Sequence, residues 1–396
     1  MTGPADLTAA RVVIALVLIA SADVSGAVDV ADALSALPAE SLRPPLGAGW
    51  IANLIDPTLA RLAQGGVTLG ALAGLVGWRA GFGVVVVCGV YLLGIPQLAG
   101  PVVHSHHLLW FAALLALSPA GTHRITVPAM RLLVGAIFFF PGLHKLLAGW
   151  IGGDVLRNHL YWKWAQSGAV PELRVDLIPG LLEVAAAGVV VVELAMPALV
   201  LLRPRLALAL ALLFHVGSAL VFDIHFSSLW LCYAVLLPWS VWVDRPEVTA
   251  SLRSQRLAKA GAGALLSVVC IAGLSGETQA WPVACYPTFA EPVGDTMPTL
   301  VVVAVTVDGE REVPLPPGQD RWGRYWRLAG IGGPVSEPAL AALWAELEVP
   351  ERDAVVAVQW WRGSLSVRPE DAGQPAERLM LLWEQSAESL GRSGGQ

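Results

Sequence analysis

Residues Arg131 to Trp150 read RLLVGAIFFFPGLHKLLAGW. The pattern is that of an apolar membrane-type helix, interrupted by Pro141-Gly142 and carrying Lys145 near its end, shortly before Trp150. A lysine at bilayer depth is costly, so it snorkels to the headgroups, pairs with another group or reacts. Snorkelling is the common fate at a helix end. The histidines on neighbouring apolar segments, His106 and His107 before it and His215 after it, argue for the other two fates.

The rest of the chain places this helix among others like it. Of its 396 residues 55% are hydrophobic and only 14% charged, with a mean hydropathy of +0.62. Soluble domains are about a quarter charged, so the composition is that of a polytopic membrane protein. The net charge of −6, without a basic stripe, excludes the usual nucleic-acid-binding classes. Cys88, Cys232, Cys270 and Cys285 form no CxxC; the first three lie in apolar segments as small core hydrophobes, and no disulfide framework is implied.

The pattern changes near residue 277. Before it, apolar stretches recur at 7–28, 59–78, 82–100, 104–118, 128–148, 179–202, 206–222, 226–243 and 259–276. Most approach the ~20 residues that cross hydrocarbon, while 104–118 is short. The expected fold is an all-α polytopic membrane bundle of about nine transmembrane helices over 1–276. A small C-terminal extracytoplasmic α+β domain follows over 277–396. Orientation follows from positive charge. With the N-terminus cytoplasmic, the inner edges carry Arg11, Arg79, Arg124, Arg131, Arg203, Arg205, Arg245, Arg253, Arg256 and Lys259. The outer ones mix Arg43, Arg61, Arg157, Lys163 and Arg174 with Asp56, Asp154, Glu172 and Asp176. This predicts a multi-pass plasma-membrane protein with Lys145, His106 and His107 near the outer face. Ala20-Ser21-Ala22 resembles a signal-peptide cleavage site, but the leader before Arg11 holds Asp6 and is not basic, which favours a retained first helix.

The segment 149–178 reads as an outer loop rich in aromatics, from Trp150 through Tyr161, Trp162 and Trp164; it suits an interfacial belt, a lid over a membrane-facing pocket, or both. His104, His106 and His107 form a His-x-His-His cluster, but no cysteine or dense carboxylate set joins them, so no metal is expected. His215 lies mid-span, as a hydrogen-bonded core histidine or as a functional group. Asp223 and His225 flank a tight outer turn. Glu183 and Glu193 share one apolar span; Glu193 is the deeper and is expected to pair with a buried histidine.

These residues, in this order, resemble the horizontally transferred transmembrane (HTTM) family, to which the vitamin K-dependent γ-glutamyl carboxylases belong. The carriers are Leu37-Pro38 with Pro44-Pro45-Leu46-Gly47, His106-His107-Leu108-Leu109-Trp110, and Leu117-Ser118-Pro119. Gly142-Leu143-His144-Lys145-Leu146 with Trp150, and Phe214-His215, complete the set. The resemblance runs from Arg11 to about Trp239. It implies that Lys145 acts as the base on a reduced quinone of the vitamin K kind. It implies that His107 assists at a carbanion and that His215 completes the catalytic set. Trp150, His106 and His144 become the candidates for holding the quinone. Such a base must be kept from water, and Lys145 at the hydrocarbon boundary is placed for that. Membrane lipid or quinone, and an extracytoplasmic peptide or protein substrate, are the implied partners. The chain departs from the carboxylases in lacking their large external region and in having His144 where they carry a second lysine, so protein carboxylation itself is not implied.

In the C-terminal region Leu300–Val307 and Ala354–Trp361 read as strands, Asp308-Gly309 as a hairpin turn, Ser336–Leu347 as an amphipathic helix, and the tail from Ala387 as disordered. Three function classes follow: a lyase-like, quinol-linked membrane enzyme; a redox or quinone-binding subunit of the DoxX kind; and a non-catalytic scaffold. The first expects Lys145, His107 and His215 to converge on one pocket.

Overall fold

The computed structural model describes residues 3–24, 26–35, 49–98, 106–152, 154–167, 172, 174–222, 227–276, 281–283, 293–315, 344, 347–349 and 352–386. His104, Asp223, His225, Cys285, the Leu37-Pro38 and Pro44–Gly47 motifs, most of 336–347 and the tail from Ala387 lie outside the described residues. The chain divides into two compact units, one formed by residues 1–151 with 185–291, the other by 152–184 with 292–396.

The helices, in chain order, are α1 (Pro4–Val24), α2 (Ala27–Ser35), α3 (Gly49–Ala52), α4 (Pro57–Leu75), α5 (Ala80–Leu92), α6 (Ile95–Leu98), α7 (His107–Ala116), α8 (His123–Leu147), α9 (Asp154–Ser167), α10 (Leu181–Leu202), α11 (Pro204–Phe222), α12 (Ser227–Cys232) and α13 (Leu252–Ser275). Among the described residues six segments are long and apolar enough to cross a membrane: Pro4–Ala22, Ala80–Leu98, His123–Leu147, Leu181–Leu202, Pro204–Phe222 and Leu252–Ser275. Three of the expected spans are not among them. The stretch 59–78 falls on α4, where Arg61, Gln64 and four glycines dilute the hydropathy. The stretch 104–118 yields the 10-residue α7, which at 1.5 Å per residue covers about 15 Å, half the hydrocarbon thickness. The stretch 226–243 breaks into α12 and 3₁₀ turns at Tyr233–Leu236 and Trp239–Val241, with Pro238 between the turns. Cys232 is buried, whereas Cys270 is exposed on α13 rather than in the core.

In the first unit α5 and α8 are the most enclosed of the six, while α10, α11 and α13 turn most of their side chains outward. Exposed Leu202, Leu220 and Ile271 suit a lipid-facing surface. The helix α8 runs 25 residues without a break, with Pro128 and Pro141 inside it. The expected interruption at Pro141-Gly142 is absent, because one proline deletes a single backbone bond and membrane helices tolerate that loss. The helix ends instead at Ala148, with Gly149 at φ +74 just beyond. Two glycines bring α10 close to α8. A methyl on Gly135 would lie 2.9 Å from Pro197 Cα, and one on Gly142 would lie 2.6 Å from Glu193 Cβ. Their spacing of seven residues puts both on one face, and small residues are what allow such close helix contact in membranes.

The second unit is built on a four-stranded antiparallel sheet of order β2-β1-β3-β4, with β1 at Thr296–Thr306, β2 at Gly309–Val313, β3 at Val355–Ser366 and β4 at Glu377–Ser386. The β1–β2 hairpin turns at Val307-Asp308, with Thr306 opposite Gly309, as the Asp-Gly signal predicts. Leu300, Val302 and Ala304 share a core with Val358, Trp360 and Trp344. The expected outer loop contains α9, whose Leu156, Leu160 and Trp164 recur every fourth residue and are buried. Asn158 Nδ2 donates to Val293 O at 2.7 Å and Trp162 Nε1 to Gly294 O at 3.0 Å, which ties α9 to the approach to β1.

Candidate functional site

Lys145 is carried on the last turn of α8, on the same face as Gly142 and three residues beyond it. Gly142 lets α10 approach so closely that Glu193 lies against this face. The Lys145 amine donates to Glu193 Oε1 at 2.6 Å, and both side chains are 2% exposed. The amine also lies 5.1 Å from the centre of the Trp150 ring and 5.5 Å from that of Phe214, within the range of cation–π attraction. Trp150 is itself buried. Among the described residues, Glu193 Oε2 and Trp150 Nε1 are buried polar atoms with no hydrogen-bond partner. Lys145 therefore pairs inward and does not snorkel. Glu193 pairs with this lysine and not with a histidine, as its depth alone suggested.

His215, on α11, hydrogen-bonds through Nε2 to Tyr233 Oη at 2.6 Å. Its ring lies 5.5 Å from that of Tyr233 at 15° and 5.6 Å from that of Phe138. Phe214 joins this group to the lysine, since its ring faces the Lys145 amine on one side and meets Phe138 edge-on at 5.5 Å. His144 points elsewhere. Its Nε2 is 2.7 Å from Gly273 O, fastening the end of α8 to α13.

His106 and His107 pack together with two tryptophans. Their rings are 4.1 Å apart, and both lie against Trp110. His106 also faces Trp281 at 5.5 Å. Indole N–H groups lock the cluster in place: Trp110 Nε1 donates to Pro282 O at 2.8 Å and Trp281 Nε1 to Val90 O at 3.2 Å. Among the described residues the partners of Lys145 are Glu193, Trp150 and Phe214; neither His107 nor His215 bonds to it directly.

Sequence reasoning missed Tyr233 and the pairing role of Glu193. A tyrosine within an apolar stretch and a glutamate deep in a span were the available signals, since each needs a partner when buried. Two other buried polar groups bond to backbone. Asp6 accepts from Ser240 N at 2.9 Å and Gly3 N at 2.8 Å, and Arg131 Nε donates to Val235 O at 3.1 Å.

In the second unit Arg174 grips Asp176 through Nε at 2.8 Å and Nη2 at 2.6 Å, and Tyr161 Oη donates to the same carboxylate at 2.9 Å. The guanidinium bonds hold the Asp176 carboxyl below its usual range, and burial raises the Tyr161 phenol. Among the described residues no three His, Cys, Asp or Glu side chains come together as a metal site. Comparison with family models, with curated proteins and with solved structures gave no match.

Proposed function

We propose that this chain is a multi-pass plasma-membrane enzyme of quinol-linked chemistry in which Lys145 is the base, as the resemblance to the HTTM family implies. The observation that supports it most is the Lys145–Glu193 pair, buried at 2.6 Å under Trp150. A structural lysine near a helix end has cheaper options than a buried ion pair. A reduced quinone suits the surroundings, where Phe214 and Trp150 supply aromatic faces while Trp150 Nε1 and Glu193 Oε2 remain unpartnered. Bound there, it would supply two-electron chemistry with oxygen. Within this reading Lys145 holds and moves the proton, Trp150 and Phe214 keep water from the amine, and His215 is positioned beside them by Tyr233. The nine-span topology, the cytoplasmic N-terminus and the extracytoplasmic peptide or protein substrate are part of the same proposal.

That neither His107 nor His215 bonds directly to Lys145 among the described residues favours a second reading, a quinone-binding redox subunit of the DoxX kind that needs another protein for turnover. One experiment tests both. The full chain is reconstituted in lipid nanodiscs with a short-chain naphthoquinol under oxygen, and quinol consumption is followed with an added peptide pool. The enzyme reading expects turnover by the chain alone, lost in Lys145→Ala and in Lys145→Arg, because arginine keeps its proton. An active Lys145→Arg protein overturns the lysine-base mechanism. Tight quinol binding without turnover replaces the enzyme with the redox subunit.

A further inference from the structure

We propose that Glu193 takes the proton of Lys145 before the amine acts, so that the pair alternates between ammonium–carboxylate and amine–carboxylic acid. This rests on the reading of Lys145 as the base and adds the residue that makes it one. An ammonium bonded to a carboxylate has no lone pair to offer. With both side chains 2% exposed, bulk solvent does not reach the amine, and Glu193 Oε1, 2.6 Å away, is the acceptor it touches. Proton transfer abolishes both buried charges together, which removes the desolvation cost that opposes the ionic form.

The local geometry is built for this exchange. The bare backbone at Gly142 seats the carboxylate, since a methyl there would lie 2.6 Å from Glu193 Cβ and 3.3 Å from Oε2. The other oxygen, Oε2, is buried with no hydrogen-bond partner among the described residues, which leaves it open to carry the proton onward. The neighbouring titratable groups are engaged elsewhere. His144 on α8 bonds to the Gly273 carbonyl of α13, and His215 on α11 bonds to Tyr233.

The step balances simply. One proton passes from Lys145 Nζ to Glu193 Oε1, one positive and one negative charge disappear, and no electrons move. The free amine then accepts a proton from the substrate, leaving an ammonium and a substrate anion. The cycle closes when the Glu193 carboxyl gives its proton to water that enters as the product leaves, which restores the ammonium–carboxylate pair. Glu193 is thus a positioning residue that acts through Lys145.

The test is infrared difference spectroscopy on the full chain in lipid nanodiscs without quinol. The reference is the Lys145→Met/Glu193→Gln double variant, which leaves no unpaired buried charge and so keeps its fold. The expected result is a protonated-carboxyl band in the wild type, shifted by deuterium exchange and missing from the double variant. In the quinol assay Glu193→Gln should lose ~100-fold or more in rate, and Glu193→Asp should recover part of it with a displaced pH profile. Absence of a Glu193-dependent band between about pH 5 and pH 9 would show a permanent ion pair and overturn the proposal. A band that is present in a protein inactive toward quinol supports the proton exchange while removing the quinol reading, so the two failures are distinguishable.

Discussion

At the scale of single residues the ion pair sets the energetics of the bundle. Breaking a buried pair from one side leaves a charge without water or partner, at about 3–5 kcal/mol. Glu193→Leu and Lys145→Met are each expected to destabilise the protein by that order. The double substitution should recover most of the loss, and thermal unfolding in detergent reads all three. A cycle in which the two single losses simply add would mean that the pair is not coupled. In the second unit Asp176 gives a pH dependence of known sign. Its folded value is depressed by Arg174, so its contribution is present above the ordinary carboxylate value and is lost as pH falls through the folded one. Arg174→Gln should flatten that acid limb in an unfolding titration. Much of this was legible at the level of residue type: a lysine near a span end and a glutamate deep in another span both announce a need for partners. Which partner each finds was not legible. The two lie 48 positions apart, and depth along a helix says nothing about which helix it faces.

At the scale of elements the decisive contact is the face of α8 on α10. Gly135 and Gly142 are the small residues that permit it, and they sit opposite Pro197 and Glu193. Gly142→Ala would push its methyl against Glu193 Cβ, and since a helix backbone yields less readily than a side chain, the carboxylate is displaced from Lys145. An overpacking cost of about 1–3 kcal/mol is expected, together with loss of quinol-dependent activity, while Gly152→Ala, with open space at its Cβ, serves as the control. Unchanged stability in Gly142→Ala would contradict the tight seam. The apolar periodicity located α8, α10, α11 and α13, because long uninterrupted apolar runs admit few other structures. It overstated the continuity of 226–243, where Pro238 and the turns around it end regular helix. It also overlooked β4, whose outward Leu379, Met380 and Leu381 spoil the alternation that marks a strand.

At the scale of the whole molecule the parity of the crossings fixes the side of the C-terminal sheet. Six crossings would return the C-terminal sheet to the side of the N-terminus, whereas nine would place it opposite. The charges discriminate between the two. With crossings by the six long segments alone and a cytoplasmic start, the edge at Arg79 and the run Arg253, Arg256 and Lys259 would face outward, against the bias of lysine and arginine to the cytoplasm. Counting α4, α7 and the stretch around α12 as further passes restores these groups to the inner face. Of the three, α4 has the length for it: its 19 residues cover about 28 Å, close to the hydrocarbon thickness. The shorter two would have to cross as pieces shielded by neighbouring helices, and broken backbone at membrane depth survives only where protein covers it. The burial of all but one residue of His107–Leu115 meets that condition for α7. Reporter fusions after Arg79, Arg205 and Arg256 are therefore expected to be cytoplasmic, and fusions at Gly168 and Asp308 external. A cytoplasmic Asp308 fusion would require an even number of crossings and exclude nine. An external Arg79 fusion would remove α4 from the crossings.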